Sequence, residues 1–595
     1  MHSLTAPSPP QALPSRAATT WSLAACVAIA VPSLLAPNVP PIVTFFNQAV
    51  ALFGWGALLA LFAGATPVRT ARWPVGLNAL IASLVLLVCA ALATLRTGMP
   101  LSLALTSAGM IIAAAFTADV GAAVQKSGCG AQAFRAVCVA VLLGAAVNAG
   151  IAVLQVYAPT WADGQWIAFR VLEGRAVGNL RQSNHLCTVL LWGLVAAIWL
   201  SETRVLRPAV AALLGLLLMF GVVLSASRAG LVGALMLAAW ALLDRSLNRR
   251  IRIALLLAPV AYGLLWAGAA AWAHYSHQVL VGGARLATTD NLGSSRFGAW
   301  ANTLELIRSH PWFGVGFGEF NFAWSMSEFP GRPTPFFDHT HNLLLQFAVE
   351  LGLPLAALVV GLLGWALWVA GRNCRQASAA GDNPSPVRPA FTLVALVLMH
   401  SMAEYPLWYA YFLLPTAFFL GLCLGGPSVS ATATQPQVRG DASRSPVYRP
   451  LALIMTLAAA LSVLDYFRVV PIFLPLNPHT PLNERFDTGR GSVLFAHHAE
   501  YAIATNVDPS EVGLKAAQRA AHHLLDSRLM MAWANALHAT GDEERAKYVA
   551  QRLLEFRNPA SESFFAPCSD PKVVEPLRPF QCYLPQRKFT FEDFR

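Results

Sequence analysis

Charged residues are scarce in this sequence, and their scarcity sets the class of protein. Only 12% of the 595 residues are Asp, Glu, Lys or Arg, whereas 56% are hydrophobic. Soluble globular proteins average about 25% charged residues. The composition therefore excludes an ordinary soluble fold and indicates an integral membrane protein.

Two kinds of site are also missing from the sequence. The nine cysteines include no Cys-x-x-Cys pair, so a zinc or redox cluster is unsupported. No Gly-rich phosphate loop of the Walker or dinucleotide type occurs. The net charge of +11 does not indicate nucleic-acid binding, because most of the positive charge lies in short loops and forms no basic patch with interleaved aromatics.

Long apolar runs are what the sequence has in abundance. A bilayer core needs roughly 20 apolar residues per helix, and about thirteen spans are predicted on this basis. They lie near residues 20–36, 44–65, 74–95, 100–121, 134–157, 185–201, 206–226, 228–245, 251–274, 341–370, 388–407, 411–426 and 449–467. The sequence thus predicts an all-α, polytopic membrane bundle. Residues 1–19, rich in Pro, Ser and Ala, lack a signal-cleavage pattern and are expected to form a disordered cytoplasmic leader.

Loop charges predict the orientation of the chain. Lys and Arg accumulate on the cytoplasmic side of membrane proteins. The loops after even-numbered spans are basic, whereas the other short loops contain almost no cations apart from Arg96. The residues that make the even-numbered loops basic are Arg69, Arg72, Lys126, Arg135, Arg204, Arg207, Arg245, Arg249, Arg250, Arg252, Arg372, Arg375, Arg388, Arg439, Arg444 and Arg449. The N-terminus is therefore expected inside, and three segments are expected on the non-cytoplasmic face.

Those three segments define the predicted domain organisation. They are the outer loop 158–184, the large loop 275–340 and the tail 468–595. The outer loop interrupts the N-terminal transmembrane helices 20–274, and the tail follows the C-terminal transmembrane helices 341–467. Residues 530–556 in the tail have the apolar spacing of two amphipathic helices and look like a tetratricopeptide-type hairpin. Cys568 and Cys582 follow it, and both a disulfide and two free thiols are consistent with the sequence.

A polar segment at the start of an apolar run is the first candidate site. Asp338, His339, His341 and Asn342 stand immediately before the run 343–368. Histidine exchanges protons near neutral pH, and ionisable groups at a membrane edge are functional candidates. The alternative interpretation is that both histidines only anchor a helix end at the interface.

Arginines at the same expected face are the second candidate feature. Arg175, Arg181, Arg228 and Arg296 each stand in or beside an outer loop or turn. Each of them taken singly fits a side chain that snorkels to the interface. Together, guanidinium groups suit bidentate binding of a polyanion, and a phosphate held in the membrane would belong to a polyprenyl diphosphate.

Neutral polar groups form the third feature. Asn179, Gln182 and Asn184 lie in the segment 178–185, which His185 completes. Carboxamides suit sugar hydroxyls, because they both donate and accept hydrogen bonds. An equally good interpretation of Asn184 is the N-cap of the helix that follows.

These motifs resemble a known superfamily. His341-Asn342, followed after nine residues by Gly352, resembles the signature of O-antigen ligases and polymerases (the Wzy/WaaL superfamily), although Leu355 stands where that signature has Gly, Thr or Tyr. Arg296, Trp300 and residues 310–318 resemble its outer loop. Residues 178–186, in which Arg181 and Ser183 depart from the usual pattern, and 400–409 are similar to bacterial protein O-oligosaccharyltransferases of the PglL type.

The resemblance implies a reaction, a fold and a location. It implies a GT-C-like bundle in the bacterial inner membrane, with the active site and C-terminal domain facing the periplasm. The implied reaction transfers a preassembled oligosaccharide en bloc from undecaprenyl diphosphate to Ser or Thr hydroxyls of periplasmic proteins such as pilin, with inversion and without a cofactor. No carboxylate cluster with metal-ligand spacing is present, so metal independence is predicted.

The expected roles follow from this chemistry. His341 is predicted as general base, Arg228 and Arg296 as stabilisers of the departing diphosphate, and Glu404 as a second base or a partner of an arginine. The predicted substrate-binding residues are Arg175, Asn179, Arg181, Gln182, Asn184, His185, His339, Asn342 and Tyr405. Alternatives are a ligase or polymerase acting on lipid A core or a growing glycan, a polyprenyl-lipid transporter with polar groups at the midplane, and a scaffold without chemistry.

Overall fold

The computed structural model describes residues 15–65, 73–170, 174–277, 291–329, 331–379, 385–426, 447–475, 477–572 and 578–595. Every regular element in these ranges is a helix, which confirms the predicted all-α class. The leader residues 1–14 and the predicted loop cations Arg69, Arg72, Arg439 and Arg444 lie outside the described residues. The first helix begins at Ser15, so residues 15–19 are helical rather than part of a disordered leader.

The described helices match the predicted apolar runs closely. Eight are long and apolar enough to cross a membrane: Arg16–Leu34, Phe45–Gly64, Val75–Thr97, Leu101–Lys126, Gly130–Tyr157, Ser183–Glu202, Leu353–Ala377 and Tyr448–Phe473. A ninth candidate, Arg249–Leu256 with Ala258–Tyr275, bends by 48° just before Pro259, which lacks a backbone N–H. Four apolar helices are shorter: Pro208–Leu224, Arg228–Leu243, Val387–Ser401 and Ala410–Leu424. The chain is a multi-pass membrane protein, and the number of crossings stays a prediction.

The predicted run 341–370 differs from the structure, and the difference shapes the site. The run 341–370 is divided into a short helix, Leu343–Leu351, and a long helix that begins at Leu353. Gly352 between them has a φ of +75°, and a Cβ there would lie 2.4 Å from the carbonyl oxygen of Trp312. The break therefore needs glycine, both for its backbone conformation and for the close approach of the preceding loop.

The membrane helices pack through small residues. Helix Leu101–Lys126 crosses Ala410–Leu424 where Gly421 lies so close that a Cβ would be 2.1 Å from the carbonyl oxygen of Ala118. Close backbone approach at glycine is typical of helix pairs in membranes. One continuous apolar core extends from Trp21 to Met455. This core supports the loops and turns from which the candidate site is built.

A second apolar core joins the large loop to the C-terminal tail. The loop contributes helices Asn291–Ser309 and Phe320–Met326, and the tail contributes Leu482–Arg490, Ala496–Asn506, Glu511–Ala521, Ser527–Ala539, Glu543–Glu555 and Glu562–Ser569. The predicted hairpin corresponds to Ser527–Ala539 and Glu543–Glu555, and Glu511–Ala521 packs against it. The side chains of Trp324 and Trp533 are fully buried in this core. Cys568 and Cys582 form a disulfide.

Candidate functional site

His341 occupies a tightly held turn before helix Leu343–Leu351. The Asn342 side chain caps this helix by accepting hydrogen bonds from the backbone N–H groups of Leu344 and Leu345, both at 3.1 Å. Gln346 accepts a hydrogen bond from the backbone N–H of Thr340 at 2.8 Å. His341 itself has a φ of +56°, a left-handed conformation that persists in non-glycine residues only where the surroundings enforce it. The turn thus fixes the direction of the imidazole.

The carboxylate of Glu404 brings three distant parts of the chain together. Its Oε2 lies 3.1 Å from Nδ1 of His341, and its Oε1 accepts hydrogen bonds from Nη2 of Arg296 at 2.6 Å and Nδ2 of Asn184 at 3.0 Å. The Glu404 side chain is only 6% exposed. Both oxygens are therefore used within the protein. The candidate cluster is defined here as His339, His341, Glu404 and Arg296.

Electrostatics determine the protonation state of Glu404. Burial alone would raise the pKa of its carboxyl group, but the hydrogen bond from His341 and the charge of Arg296 help to outweigh burial, and the pKa is lowered to about 2. Glu404 is therefore ionised across the physiological range. An ionised carboxylate with so low a pKa is a weak base and an effective anchor for the imidazole.

His339 completes the cluster and, like Glu404, contacts Nδ1 of His341. Its Nε2 lies 3.2 Å from Nδ1 of His341, its Nδ1 is hydrogen-bonded to Asp338, and its ring centroid lies 3.4 Å from that of Tyr405. Burial lowers the pKa of His339, although Asp338 partly opposes the shift. His339 is therefore neutral at physiological pH.

This network selects the tautomers of the two imidazoles. An ionised carboxylate only accepts hydrogen bonds, so Asp338 receives the Nδ1 proton of His339 and leaves Nε2 of His339 as an acceptor. Both groups that face Nδ1 of His341, namely Nε2 of His339 and Oε2 of Glu404, are then acceptors. The proton of neutral His341 consequently resides on Nδ1, and its Nε2 carries the free lone pair.

The turn before helix Arg228–Leu243 is connected to the cluster. Ser227 donates a hydrogen bond from Oγ to Oδ1 of Asn184 at 2.7 Å, and Asn184 donates in turn to Glu404. Arg228 follows Ser227 and is exposed. Arg175 donates from Nε to the carbonyl oxygen of Ser225 at 3.0 Å. Two predicted arginines thus stand beside a turn that hydrogen bonds link to Glu404.

Two predicted substrate-binding residues instead donate side-chain hydrogen bonds to backbone carbonyl oxygens. Asn179 donates from Nδ2 to the carbonyl oxygens of Leu34 at 2.7 Å and Trp166 at 2.8 Å. Arg181 donates from its guanidinium to the carbonyl oxygen of Ala36. These contacts hold the segment 178–181 against residues 34–36 and against Trp166 of the outer loop. Substrate binding by Asn179 and Arg181 stays a prediction.

Gln182 and His185 lie at the start of helix Ser183–Glu202. Gln182 occupies the N-cap position without forming a side-chain cap, and it is partly exposed. His185 is buried, with its Nδ1 3.1 Å from the hydroxyl of Tyr411. Of this segment, Asn184 donates a hydrogen bond directly to Glu404 of the candidate cluster. Roles of Gln182 and His185 in glycan binding stay predictions.

His339, His341 and Glu404 of the cluster line a small pocket to which residues outside the predicted set contribute. Gln346, Ser401, Leu407 and Trp408 are among its lining residues. Sequence reasoning did not select Gln346, although it is an isolated polar residue one helical turn after Asn342 in an apolar run. That isolation is the signal that would have identified it.

Three side chains of the cluster have atoms that suit a cation as ligands. His339, His341 and Glu404 each offer a ligand atom, and these atoms lie within 4.8 Å of one another. The guanidinium of Arg296, 2.6 Å from the same carboxylate, opposes the approach of a metal ion. Metal independence of the site stays a prediction.

Comparisons with known proteins converge on the same segments. The O-antigen ligase family matches residues 210–360, the C-terminal family of virulence-factor membrane-bound polymerases matches 389–563, and a protein glycosylation ligase family matches 176–200. Asn184, Arg296, His341 and Glu404 all fall within these matches.

Two curated relatives from Acinetobacter baylyi are similar to this chain. A general O-oligosaccharyltransferase is 29% identical over 261 residues, which cover 42% of this chain and 43% of the relative. A ComP-specific O-oligosaccharyltransferase is 26% identical over 255 residues, which cover 42% of this chain and 44% of that relative. The matched region thus spans less than half the length of both relatives.

Proposed function

Since the chain belongs to the O-antigen ligase (Wzy/WaaL) superfamily and is similar to PglL-type protein O-oligosaccharyltransferases, we propose that it glycosylates proteins. The proposed reaction transfers a preassembled oligosaccharide en bloc from undecaprenyl diphosphate to Ser or Thr hydroxyls of periplasmic proteins such as pilin. The proposed location is the bacterial inner membrane, with the candidate cluster and the tail on the periplasmic side.

The arrangement of His341 between Glu404 and His339 is the observation that carries the proposal. Glu404 and His339 both accept from Nδ1, at 3.1 and 3.2 Å, so Nε2 of His341 has the lone pair that a general base needs. The left-handed turn and the cap at Asn342 hold the ring in place. This geometry supports proton abstraction from an acceptor hydroxyl.

The proposed transfer is a single displacement. Nε2 of His341 takes the proton of the acceptor hydroxyl while that oxygen attacks the anomeric carbon. The bond from the anomeric carbon to the diphosphate oxygen breaks, and the lipid diphosphate leaves with the bonding electrons. Attack opposite the leaving group inverts the anomeric configuration.

The leaving diphosphate requires positive charge close to the site of attack. Arg228 and Arg175 stand beside the turn that Ser227 joins to Asn184 and Glu404, and guanidinium groups bind phosphate oxygens bidentately. Arg296 is partly exposed while it pairs with Glu404. We therefore assign Arg228 and Arg175 to the diphosphate, and Arg296 both to Glu404 and to the developing charge.

A second candidate function is glycan polymerisation or ligation. The match of residues 389–563 to membrane-bound polymerases favours it, because that segment contains Glu404 and most of the tail. The chemistry at the donor would be the same. Only the acceptor differs, being a growing glycan or lipid A core instead of a protein hydroxyl.

The experiment that separates these functions uses whole cells. The chain is co-expressed with a lipid-linked glycan pathway and a pilin-like acceptor, and the intact mass of the acceptor is measured. The proposal expects a mass increase of one whole glycan, lost when the acceptor's Ser and Thr residues at the modified site are replaced by Ala. An unmodified acceptor together with longer lipid-linked or lipopolysaccharide glycans would overturn protein glycosylation in favour of the second candidate.

A further inference from the structure

Three histidines that the proposed reaction does not use lie together in the tail. His497 and His498 are on helix Ala496–Asn506, and His523 follows helix Glu511–Ala521. Their ring centroids are 4.3, 4.4 and 4.7 Å apart, and one nitrogen from each ring lies within 4.8 Å of the others. This trihistidine cluster is a different set of residues from the candidate cluster around His341.

One imidazole of the cluster is oriented by a hydrogen bond, and another has a buried nitrogen without a partner among the described residues. Nδ1 of His497 lies 2.9 Å from Oγ of Ser102, at the start of helix Leu101–Lys126. An imidazole fixed through one nitrogen presents the other to a ligand, which is the usual outer-sphere arrangement of metal-bound histidine. His498 is 8% exposed, and its Nε2 has no hydrogen-bond partner among the residues that the structure describes. A buried nitrogen without a partner is costly unless something else binds it.

The environment favours the neutral form of all three rings. Burial lowers the pKa of His497 and His498, and it lowers that of His523 to about 4 despite the opposing charge of Asp338. Neutral imidazole is the form that coordinates metal ions. Part of the His523 side chain is accessible to solvent.

We propose that His497, His498 and His523 bind a divalent transition-metal ion, with Zn²⁺ the best match. Imidazole nitrogen suits Zn²⁺, Cu²⁺ and Ni²⁺, and zinc accepts three imidazoles at about 2.0–2.1 Å with a fourth position for water. Small movements of the rings would bring the three nitrogens onto one ion.

The position of the proposed site indicates what the metal does. It connects two tail helices, and through Ser102 it reaches a membrane helix. The bound ion would therefore hold the tail on the membrane helices. This role is structural, and the argument for it does not rest on the glycosyl transfer proposed above.

The first test measures metal content. Full-length protein carrying an affinity tag without histidine is purified in detergent, incubated with Zn²⁺, passed through a desalting column and analysed by mass spectrometry for metals. Wild type is expected to retain about one zinc per chain, and the double variant His498→Gln/His523→Gln is expected to lose it. His341→Gln, which alters the candidate cluster, and His479→Ala, which alters an exposed histidine, should retain the wild-type amount.

A ligand exchange makes the assignment specific. The His498→Cys variant loaded with Co²⁺ should gain a thiolate-to-cobalt charge-transfer band that Co²⁺-loaded wild type lacks, since the metal would then be bound through sulfur. This result does not depend on whether the double Gln variant folds. The absence of that band in metal-loaded protein overturns the proposal.

Three results of the metal analysis would also overturn it. In the first, wild type retains no stoichiometric metal. In the second, the double Gln variant still retains the metal. In the third, the single substitution His341→Gln causes the metal to be lost. In each of those cases the three imidazoles are a packing cluster of neutral rings. Retention of metal by wild type and its loss only in the trihistidine variants supports the site.

Discussion

Oε2 of Glu404 lies 3.1 Å from Nδ1 of His341, although 63 positions separate the two residues in the chain. The other oxygen of the same carboxylate binds Arg296 and Asn184, which stand 108 and 220 positions away from Glu404. Glu404 therefore joins the large loop, the turn of His341 and helix Ser183–Glu202. A substitution of any of these partners is therefore expected to act through the hydrogen bonds of the Glu404 carboxylate.

Replacing His341 with Gln should lower the transfer rate about 10²–10⁴-fold, because the free Nε2 lone pair is the proposed general base. Glutamine retains polar atoms but cannot take a proton at neutral pH. The rate is measured with purified enzyme, lipid-linked glycan and acceptor, followed by intact mass. His479→Ala is the matched control, since His479 is exposed. Transfer at the wild-type rate by a normally folded His341→Gln variant would exclude this histidine as the base.

The lowered pKa of the Glu404 carboxyl group should make the stability of the folded protein depend on pH. Its pKa is lowered from 4.5 to about 2 in the folded protein. A carboxyl group with a lowered folded-state pKa stabilises the protein above its unfolded-state pKa and loses that contribution as pH falls. The stability difference between wild type and Glu404→Gln should therefore be constant above about pH 4.5 and shrink towards about pH 2. Thermal unfolding in detergent across this range measures it, and a difference that does not change with pH would contradict the ion pairing.

Arg228 should matter for the reaction and little for folding. It is exposed beside Ser227, so Arg228→Ala should leave the melting temperature unchanged while transfer falls about 10²–10³-fold, as expected when a stabiliser of developing charge is lost. Arg228→Lys should recover part of the rate, because lysine keeps the charge without the bidentate geometry. Arg249→Ala, an exposed arginine on another helix, is the control. Equal activity of Arg228→Ala and the control would remove Arg228 from the diphosphate site.

The elements of this fold were predictable because long apolar runs have few alternatives in a bilayer. One exception is the division at Gly352, which depends on the backbone of Trp312 approaching the helix. Nothing in the local sequence around Gly352 reports that tertiary contact. Motif spacing located the glycine, and only the structure gives the reason for it.

The candidate site was predictable in its chemistry and less so in its contacts. His341, Arg296 and Asn184 were selected as polar groups at one expected face. The structure places all three within hydrogen-bonding distance of the Glu404 carboxylate. Asn179 could not be separated from Asn184 by sequence, since both are carboxamides in one segment. The structure separates them, because Asn179 binds backbone carbonyls and Asn184 binds Glu404.

The disulfide between Cys568 and Cys582 should stabilise the end of the tail. It closes a loop with a sequence separation of 14, for which chain-entropy arguments give about 3 kcal/mol. The Cys568→Ser/Cys582→Ser variant should become more sensitive to limited proteolysis after residue 555. Cys89→Ser, at a free and exposed cysteine, is the control. Alkylation of both Cys568 and Cys582 in the unreduced wild-type protein would contradict the pairing.

The buried pair of Glu319 and His522 fixes the large loop on the tail. Nδ1 of His522 lies 2.7 Å from Oε1 of Glu319, and the two side chains are 4% and 0% exposed. His522→Ala leaves the carboxylate buried without its partner, and removal of one partner from a buried pair costs about 3–5 kcal/mol. We therefore expect a clear fall in the melting temperature in detergent.

A double variant tests whether the unpaired charge causes that fall. Glu319→Gln combined with His522→Ala removes the buried charge, so its melting temperature should recover part of the loss seen with His522→Ala alone. Lys515→Ala, which breaks an exposed ion pair with Glu511, should change stability little. If the double variant is as unstable as the sum of both single variants, the two residues are not coupled, and the contact between loop and tail depends on the apolar core around Trp324 and Trp533 instead.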